Sequence, residues 1–263
     1  MKYFWLFLLL LPLGAWAQHD HVGIVAKNAP AVVAINVAKK NGATFTGTGF
    51  VLTADGVIAT SRHVTENALY MNITFNNGAV SGEAVELAHG NGAQDLALLK
   101  IQAQNLPYVT LGNSDTVLPG QEITVIGNPR RLQNTVTSGL ISQVRIQPDS
   151  SILHQISAPI SPSSSGSPVF NDEAEVISVA FGSYEGDGNQ NLNFSVPSNY
   201  LRKLVSSQGI MLPREGPKKS QQPSANAFIN HINRSWLILK SLMGKVKTWW
   251  QHQHAPAPKA AAK

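Results

Sequence analysis

Short runs of β-branched and apolar residues, separated by turn residues, succeed one another between Val32 and Val196. Turn signals such as Ala54-Asp55-Gly56 recur about every 8–12 residues, which is typical of antiparallel strands in a sandwich or barrel. The sequence therefore predicts an all-β body. The predicted strands cover residues 32–37, 44–52, 56–60, 68–75, 79–87, 96–101, 108–111, 122–126, 135–146, 152–158, 175–181 and 191–196. A short helix is expected within residues 19–28, and another begins at a Ser198 cap and ends before Gly209.

The first 17 residues have the pattern of an export signal. Lys2 precedes an apolar run over residues 3–13, and the small residues Ala15 and Ala17 follow it. This order predicts a signal peptide over residues 1–17 that is cleaved before Gln18. The alternative is an uncleaved membrane anchor, for which the apolar run is short. We expect an exported protein, periplasmic or secreted.

The segment after Leu212 differs from the rest of the chain in charge. It holds nine Lys and Arg residues and one acid, whereas the preceding residues hold 11 basic and 14 acidic side chains. Because the body is mildly acidic, the overall excess of positive charge does not indicate nucleic-acid binding. We predict a body over residues 18–212, a linker over 213–224, a basic amphipathic helix over 225–251 and a disordered tail over 252–263. The helix is expected to contact a membrane surface, or to associate with itself or with the body.

The chain contains no cysteine, which excludes disulfides, a thiol nucleophile and thiolate metal sites. Two histidine pairs, His19/His21 and His252/His254, lie near the predicted ends of the mature chain. Solvated tails are the commoner meaning of such pairs. We therefore predict no metal site and no cofactor.

A stretch rich in serine, Ser161–Phe170, separates two predicted strands. Consecutive serines followed by Gly166 and Pro168 are unfavourable in a helix and poor in a strand. A tight turn of small residues exposes a side chain and directs backbone N–H groups to one place. A nucleophilic serine and its oxyanion need both features, although the stretch alone is also typical of an ordinary loop.

Two upstream residues supply the other groups that a nucleophilic serine requires, a base and a carboxylate that orients it. His63 follows a predicted hairpin, and Asp95 opens the apolar run over residues 96–101. Each residue by itself is more often a surface or strand-end residue. The order His63, Asp95, Ser165, each in its local setting, is more informative than any one of them.

The segments around these residues resemble the chymotrypsin-like serine proteases, in particular the bacterial HtrA/Deg branch. The matching segments are GTGFVL (47–52), ADGVIATSRHV (54–64), QDLALLK (94–100), SSSGSPVF (163–170) and NLNFSVPS (191–198). The resemblance covers residues 30–205 and implies two perpendicular six-stranded β-barrels with the active site in the cleft between them. It also implies a single protease domain, and the segment after it is not similar to a PDZ domain.

The resemblance implies a role for each residue of the triad. Ser165 is expected to be the nucleophile, His63 the general base and then acid, and Asp95 the carboxylate that orients the histidine. The oxyanion hole is expected to be formed by the N–H groups of Ser163 and Ser165. Ser163 departs from the family pattern, which has glycine there, and glycine is favoured where the backbone adopts a conformation that other residues reach at some cost.

The resemblance also implies which segments line the pocket for the residue before the scissile bond. They contain Ala158, Pro159, Val179, Ala180, Phe181, Asn193 and Phe194. None of these is charged, so we expect a small or medium apolar side chain of a polypeptide substrate. The expected function is that of an exported serine endopeptidase acting on unfolded or extended polypeptide. The alternatives are an impaired homologue that binds peptides or partners, and an envelope-associated β-protein with accidental motif matches.

Overall fold

The computed structural model describes residues 20–91, 94–128, 135–186 and 189–213. The chain divides into two units, Met1–Arg214 and Glu215–Lys263, and every described residue belongs to the first. The predicted signal peptide, linker, terminal helix and tail all lie outside the described residues, apart from the first linker residue, Pro213. These segments, and the expectation that no PDZ domain follows, stay predictions.

The first sheet contains seven antiparallel strands. They are β1 (Val32–Lys39), β2 (Thr44–Val51), β3 (Val57–Thr60), β4 (Ala68–Thr74), β5 (Val80–Glu83), β6 (Val85–His89) and β7 (Ala97–Lys100), in the spatial order β5-β4-β1-β2-β3-β7-β6. The edge strands β5 and β6 are separated only by Ala84, whose N–H donates to the Met71 carbonyl at 2.8 Å. The chain itself therefore joins the two edges of this sheet. The single strand predicted over 79–87 is divided at Ala84, so the first sheet has seven strands rather than six.

The second sheet is a closed barrel of six strands. They are β8 (Glu122–Gly127), β9 (Thr135–Ile146), β10 (Ile152–Ile156), β11 (Pro168–Phe170), β12 (Val176–Gly186) and β13 (Asn189–Pro197), in the order β10-β13-β12-β11-β8-β9. The prediction of an all-β body with the chymotrypsin-like fold is thus confirmed. The second sheet is a closed six-stranded barrel as expected, whereas the first is a half-barrel of seven strands.

The buried apolar residues form two clusters, of which the first includes residues of both sheets and the second belongs to the second barrel. Phe50, Ile58 and Leu98 are fully buried in the first cluster, while Ile123 and Ile141 lie in the second. Burial of this kind contributes roughly 25 cal/mol per Å² of apolar surface, which is the main favourable term of such a fold. The two cores leave the strand ends and loops free to carry a site.

Within the described residues, the structure contains three α-helices. They are α1 (His21–Asn28), α2 (Arg62–Thr65) and α3 (Ser198–Ser207), and short 3₁₀ turns occupy Ala29–Ala31 and Ser114–Thr116. Asp20 caps α1 by accepting a bond from the N–H of Gly23 at 2.8 Å. The expected cap at Ser198 is wrong, because Pro197 precedes the helix and the Ser198 hydroxyl donates to the Gly112 carbonyl at 2.9 Å instead. Within the described residues, no helix is long and apolar enough to cross a membrane.

Two further local expectations differ from the structure. Residues 108–111 form no strand, and only Leu111 makes an isolated bridge, to Val176. Conversely, Pro168–Phe170 is a strand, since Val169 pairs with Val125 on one side and with Ser178 on the other. In both cases pairing with distant strands decided the conformation, and local propensity did not.

Candidate active site

Antiparallel pairing brings His63 and Asp95 together at one end of the first sheet. β3 pairs with β7, and Thr60 lies opposite Ala97. His63 is three residues beyond the end of β3, and Asp95 is two residues before the start of β7. In an antiparallel pair the end of one strand lies beside the start of the other. The pairing of β3 with β7 therefore places both side chains at the same end of the sheet.

The histidine and the aspartate are joined by two hydrogen bonds. The ring Nδ1 of His63 lies 2.6 Å from Oδ2 of Asp95, and the backbone N–H of His63 donates to Oδ1 at 3.0 Å. The His63 side chain is 39% exposed and that of Asp95 is 20% exposed. The aspartate therefore fixes the orientation of the ring, while the opposite edge of the imidazole stays accessible.

The serine stretch forms the loop between β10 and β11, on the second barrel, and packs on the first sheet. The N–H of Thr48, in β2, donates to the Ser165 carbonyl at 2.9 Å. Gly166 adjoins the same segment so closely that a Cβ there would overlap the Thr48 carbonyl and the Thr60 hydroxyl. Since β3 ends at Thr60 and leads into His63, the three predicted triad residues gather around the end of β3.

Alternate N–H groups of the serine loop are left without an acceptor. Ser164 donates to Ser161, Gly166 to Ala180 and Ser167 to Ser164, each through the backbone. Among the described residues, the N–H groups of Ser163 and Ser165 have no such acceptor. Unpaired backbone N–H groups of this kind are the donors from which an oxyanion hole is built.

Ser163 adopts the left-handed backbone region, with φ of +76°. This region favours glycine, and a residue with a side chain is held there at a cost of about 1–3 kcal/mol. Gly166, three residues on, has φ of +89° and also lacks room for a side chain. The loop thus contains two left-handed positions, and only one of them carries glycine.

The Ser165 hydroxyl donates to the backbone carbonyl of Phe181 at 3.3 Å. In the described structure no hydrogen bond joins Ser165 to His63. Phe181 occupies a register shift in β12, because Ala180 pairs with Ser195 while Gly182 pairs with Phe194. The irregular strand directs the Phe181 carbonyl to the serine, as bulges near active sites often do.

The residues predicted to line the substrate pocket differ in exposure. Ala158, Val179, Ala180 and Asn193 are buried, and the Asn193 amide donates to the Ala158 carbonyl at 2.9 Å. Pro159 is exposed, while Phe181 and Phe194 are half-buried with ring centroids 6.5 Å apart. Pro159 and the two aromatic rings therefore offer the surface that an apolar side chain could contact.

Metal-binding groups are not clustered in the described part of the chain, where no three His, Cys, Asp or Glu side chains are placed to share an ion. Of the four histidines noted in the sequence, only His21 is described, and its Nδ1 lies 2.8 Å from the Thr124 hydroxyl. The predicted absence of a metal and of a cofactor stays a prediction.

Sequence reasoning missed the threonine that holds the serine loop. Thr48 is fully buried and bonds to the loop through both its backbone and its hydroxyl. The segment GTGFVL was noted for its resemblance, but nothing in its local pattern indicates a contact with residues more than 100 positions later. Only pairing and packing of the two sheets make that contact.

Comparison with known proteins agrees with this geometry. The trypsin-like peptidase domain family matches residues 47–179, which include all three predicted triad residues. The chain belongs to the trypsin-like peptidases. Its relatives place it in the HtrA/DegP branch. A DegP-like periplasmic serine endoprotease of Chlamydia muridarum is 36% identical over 165 residues, which cover 60% of this chain and 33% of the relative. The serine protease HTRA1A of Danio rerio is 32% identical over 205 residues, or 73% of this chain and 42% of that protein.

Solved structures of the same branch share the fold. The HtrA-type protease AlgW with a tripeptide has a TM-score of 0.65 and 29% identity, covering 71% of this chain and 62% of its own. The serine endoprotease from Yersinia pestis has a TM-score of 0.62 and 29% identity, covering 72% of this chain and 66% of its own. The chain spans about a third of the length of the first curated relatives that it matches.

Proposed function

We propose that this protein is a serine endopeptidase that cleaves polypeptides through His63, Asp95 and Ser165. The observation that carries the proposal is the hydrogen-bonded pair of His63 and Asp95 beside a serine loop with two unpaired N–H groups. Membership of the trypsin-like peptidases supports it. The HtrA-type neighbours AlgW with a tripeptide and with a decapeptide support a peptide as the ligand.

The proposed reaction begins with transfer of the Ser165 proton to Nε2 of His63. With its own proton on Nδ1, donated to Asp95, the imidazole presents a lone pair at Nε2 and acts as the base. Ser165 Oγ then attacks the scissile carbonyl, and the N–H groups of Ser163 and Ser165 bind the oxyanion. Protonated His63 returns the proton to the leaving amine, and water repeats the sequence on the acyl-enzyme.

The resting position of Ser165 implies one rearrangement in this mechanism. Its hydroxyl must leave the Phe181 carbonyl and turn to His63 before the proton can move. Catalytic hydrogen bonds are often formed only in the complex with substrate, so this geometry is compatible with an active enzyme. Substrate backbone that donates to the Phe181 carbonyl would displace the serine hydroxyl from it.

A second candidate function is peptide or partner binding without turnover. The bond from the Ser165 hydroxyl to the Phe181 carbonyl favours it, because this bond directs the hydroxyl to a group other than His63. A binding protein of this kind would have the same fold and the same cleft as the peptidase. It differs only in whether Ser165 reacts.

A fluorophosphonate probe distinguishes the two functions, because it modifies only a serine that a histidine base activates. We expect the purified protein to be labelled and to cleave an unfolded protein substrate. The variant Ser165→Ala should do neither, and the rate should fall by about 10⁴-fold or more. Ser164→Ala, which removes the neighbouring hydroxyl, is the control that should retain labelling. A wild-type protein that neither reacts nor cleaves supports the binding function instead.

We also propose that the protein acts after export. The pattern of residues 1–17 supports this, as does the periplasmic name of the Chlamydia muridarum relative. Fractionation of a host cell that expresses the full chain, with an intact-mass measurement for loss of residues 1–17, tests it. Cytoplasmic protein of full mass would contradict it.

A further inference from the structure

Thr48 contacts the serine loop with all three of its polar groups engaged. Its N–H donates to the Ser165 carbonyl at 2.9 Å, and its hydroxyl donates to the Ser163 carbonyl at 2.8 Å. Its own carbonyl accepts from the Thr60 hydroxyl at 2.6 Å, which anchors it to β3. Since Thr48 is fully buried, water does not compete for these bonds.

The direction of the Thr48 hydroxyl is determined by a second partner. The hydroxyl oxygen accepts from the backbone N–H of Asn128 at 3.0 Å. A hydroxyl has one proton, and with a lone pair occupied by Asn128 that proton is directed to Ser163. Asn128 follows β8 of the second barrel, so one side chain of the first sheet links two segments of the second.

The position of the Ser163 carbonyl depends on the strained φ angle of this residue. Ser163 has φ of +76°, and a return to the common negative-φ regions would swing its carbonyl away from Thr48. The bond from Thr48 therefore opposes the relaxation that a serine, unlike a glycine, would otherwise undergo. In the conformation held this way, the N–H groups of Ser163 and Ser165 have no hydrogen-bond acceptor among the described residues.

We propose that Thr48 is a positioning residue for the oxyanion-binding loop. Its hydroxyl holds Ser163 in the left-handed conformation that glycine would adopt unaided, and so keeps both N–H donors available. Thr48 acts through Ser163 and does not touch the substrate. The inference rests on the proposed peptidase function. It adds Thr48 as the residue that allows serine, rather than glycine, at position 163.

The test compares Thr48→Val, which keeps the shape and removes the hydroxyl, with Thr48→Ser, which keeps the hydroxyl. Turnover of a fluorogenic peptide and inhibition by a peptidyl trifluoromethyl ketone, which forms a tetrahedral adduct with serine, are measured on each. We expect Thr48→Val to lower kcat by about 10- to 100-fold, less than or equal to the loss of one oxyanion donor, with KM nearly unchanged. Affinity for the ketone should fall by the same factor, and Thr48→Ser should restore both.

Thr46→Val is the matched control. Thr46 lies on the same strand, is also buried, and directs its hydroxyl to Asn36 at 3.4 Å, away from the serine loop. Its loss should leave kcat and ketone affinity at the wild-type values. Thermal unfolding of every variant establishes that the protein is folded at the assay temperature. If Thr48→Val does not fold, Thr48→Ala, which adds no apolar branch to the site, takes its place.

Repeating the Thr48→Val test in the Ser163→Gly variant distinguishes a positioning role of Thr48 from a general loss of protein stability. Glycine at position 163 reaches positive φ without help, so Thr48→Val should lose several-fold less activity when combined with Ser163→Gly. An equal loss in both backgrounds, or an equal loss in Thr48→Ser and Thr48→Val, would overturn the inference. Full activity of Thr48→Val in an active wild-type background would overturn it while leaving the proposed function intact. An inert wild-type protein would instead refute the proposed function, and the inference with it.

Discussion

The two halves of the site are built in different ways, one on each barrel. His63 and Asp95 come from neighbouring strand ends of the first sheet and are joined directly by two hydrogen bonds. Ser165 lies in a loop of the second barrel, two residues after a serine in the left-handed region, and its hydroxyl donates to the Phe181 carbonyl. The first half follows from strand register alone. The second half depends on groups that another sheet supplies.

This difference shows where the activity of the protein is most easily changed. A residue in the histidine pair acts on the chemistry directly, so its loss is severe in any background. A residue in the serine loop acts through the balance between a strained and a relaxed backbone, and such a balance can be shifted in either direction. The three predictions below exploit this contrast, beginning with the largest effect.

Asp95→Asn should lower kcat by about 10³–10⁴-fold, because an amide that donates to Nδ1 of His63 forces the imidazole proton onto Nε2. The fold should be unaffected, as the N–H of His63 can still bond to the amide oxygen. The matched control is Glu86→Gln, which breaks the other histidine–carboxylate pair of the same sheet, 2.9 Å long, at His89. Peptide turnover measures both. Activity of Asp95→Asn within tenfold of the wild type would show that the pair is not catalytic.

The interior of the second barrel contains a buried imidazole whose charge state should control acid stability. His154 lies on β10 opposite Ser195 and is 1% exposed, and its Nδ1 has no partner among the described residues. Burial lowers the pKa of His154 from its ordinary value of 6.5 to about 4. The unfolded chain therefore binds the proton first, so this stability is fully present above pH 6.5 and is lost as the pH falls towards 4, by roughly 3 kcal/mol in all.

Urea unfolding across that pH range tests the role of His154. In His154→Gln and His154→Leu the free energy of unfolding should change less between pH 7 and pH 4.5 than in the wild type. Hydrogen exchange at pH 4.5 should also show protection lost from β10 and β13 before β1 and β2, which sharpens the contrast between the barrels. If the free energy of unfolding of both variants depends on pH as that of the wild type does, His154 is not the cause of the acid destabilisation.

Ser163→Gly should have the smallest effect and the opposite sign. Relief of the left-handed strain, less the greater flexibility of glycine in the unfolded chain, should raise the free energy of unfolding by about 1 kcal/mol. Turnover should rise by up to about fivefold if strain limits it. Gly166→Ala is the reverse case in the same loop and should lower both quantities, because its Cβ would overlap the Thr48 carbonyl. A tenfold or greater drop in Ser163→Gly would assign the serine side chain a positive role.

Local pattern was sufficient for most of the strands and for the choice of site residues. Runs of β-branched and apolar residues bounded by turn signals predicted β1, β2, β9 and β13 within a few residues. The order of His63, Asp95 and Ser165 also required no structure, since each stands in a recognisable local motif. Their catalytic roles stay predictions until the variants above are measured.

Other strand boundaries depend on hydrogen bonds to segments that are distant in the sequence. Ala84 divides one predicted strand because its N–H bonds to Met71, and residues 108–111 make only the isolated bridge of Leu111 to Val176 and no ladder. Pro168–Phe170 becomes a strand only because β8 and β12 flank it. A backbone hydrogen bond of this kind depends on its partner, and the partner is unknown from the sequence nearby.

The conformation of the serine loop is the clearest case. The sequence by itself determined that a serine stands at position 163, and its resemblance to the chymotrypsin-like proteases implied that glycine is usual there. Whether the serine could be held in a left-handed conformation depended on a hydroxyl at Thr48, 115 residues earlier in the chain. Only the packing of one barrel against the other brings that hydroxyl to the Ser163 carbonyl, because a strained backbone persists only where surrounding tertiary contacts hold it.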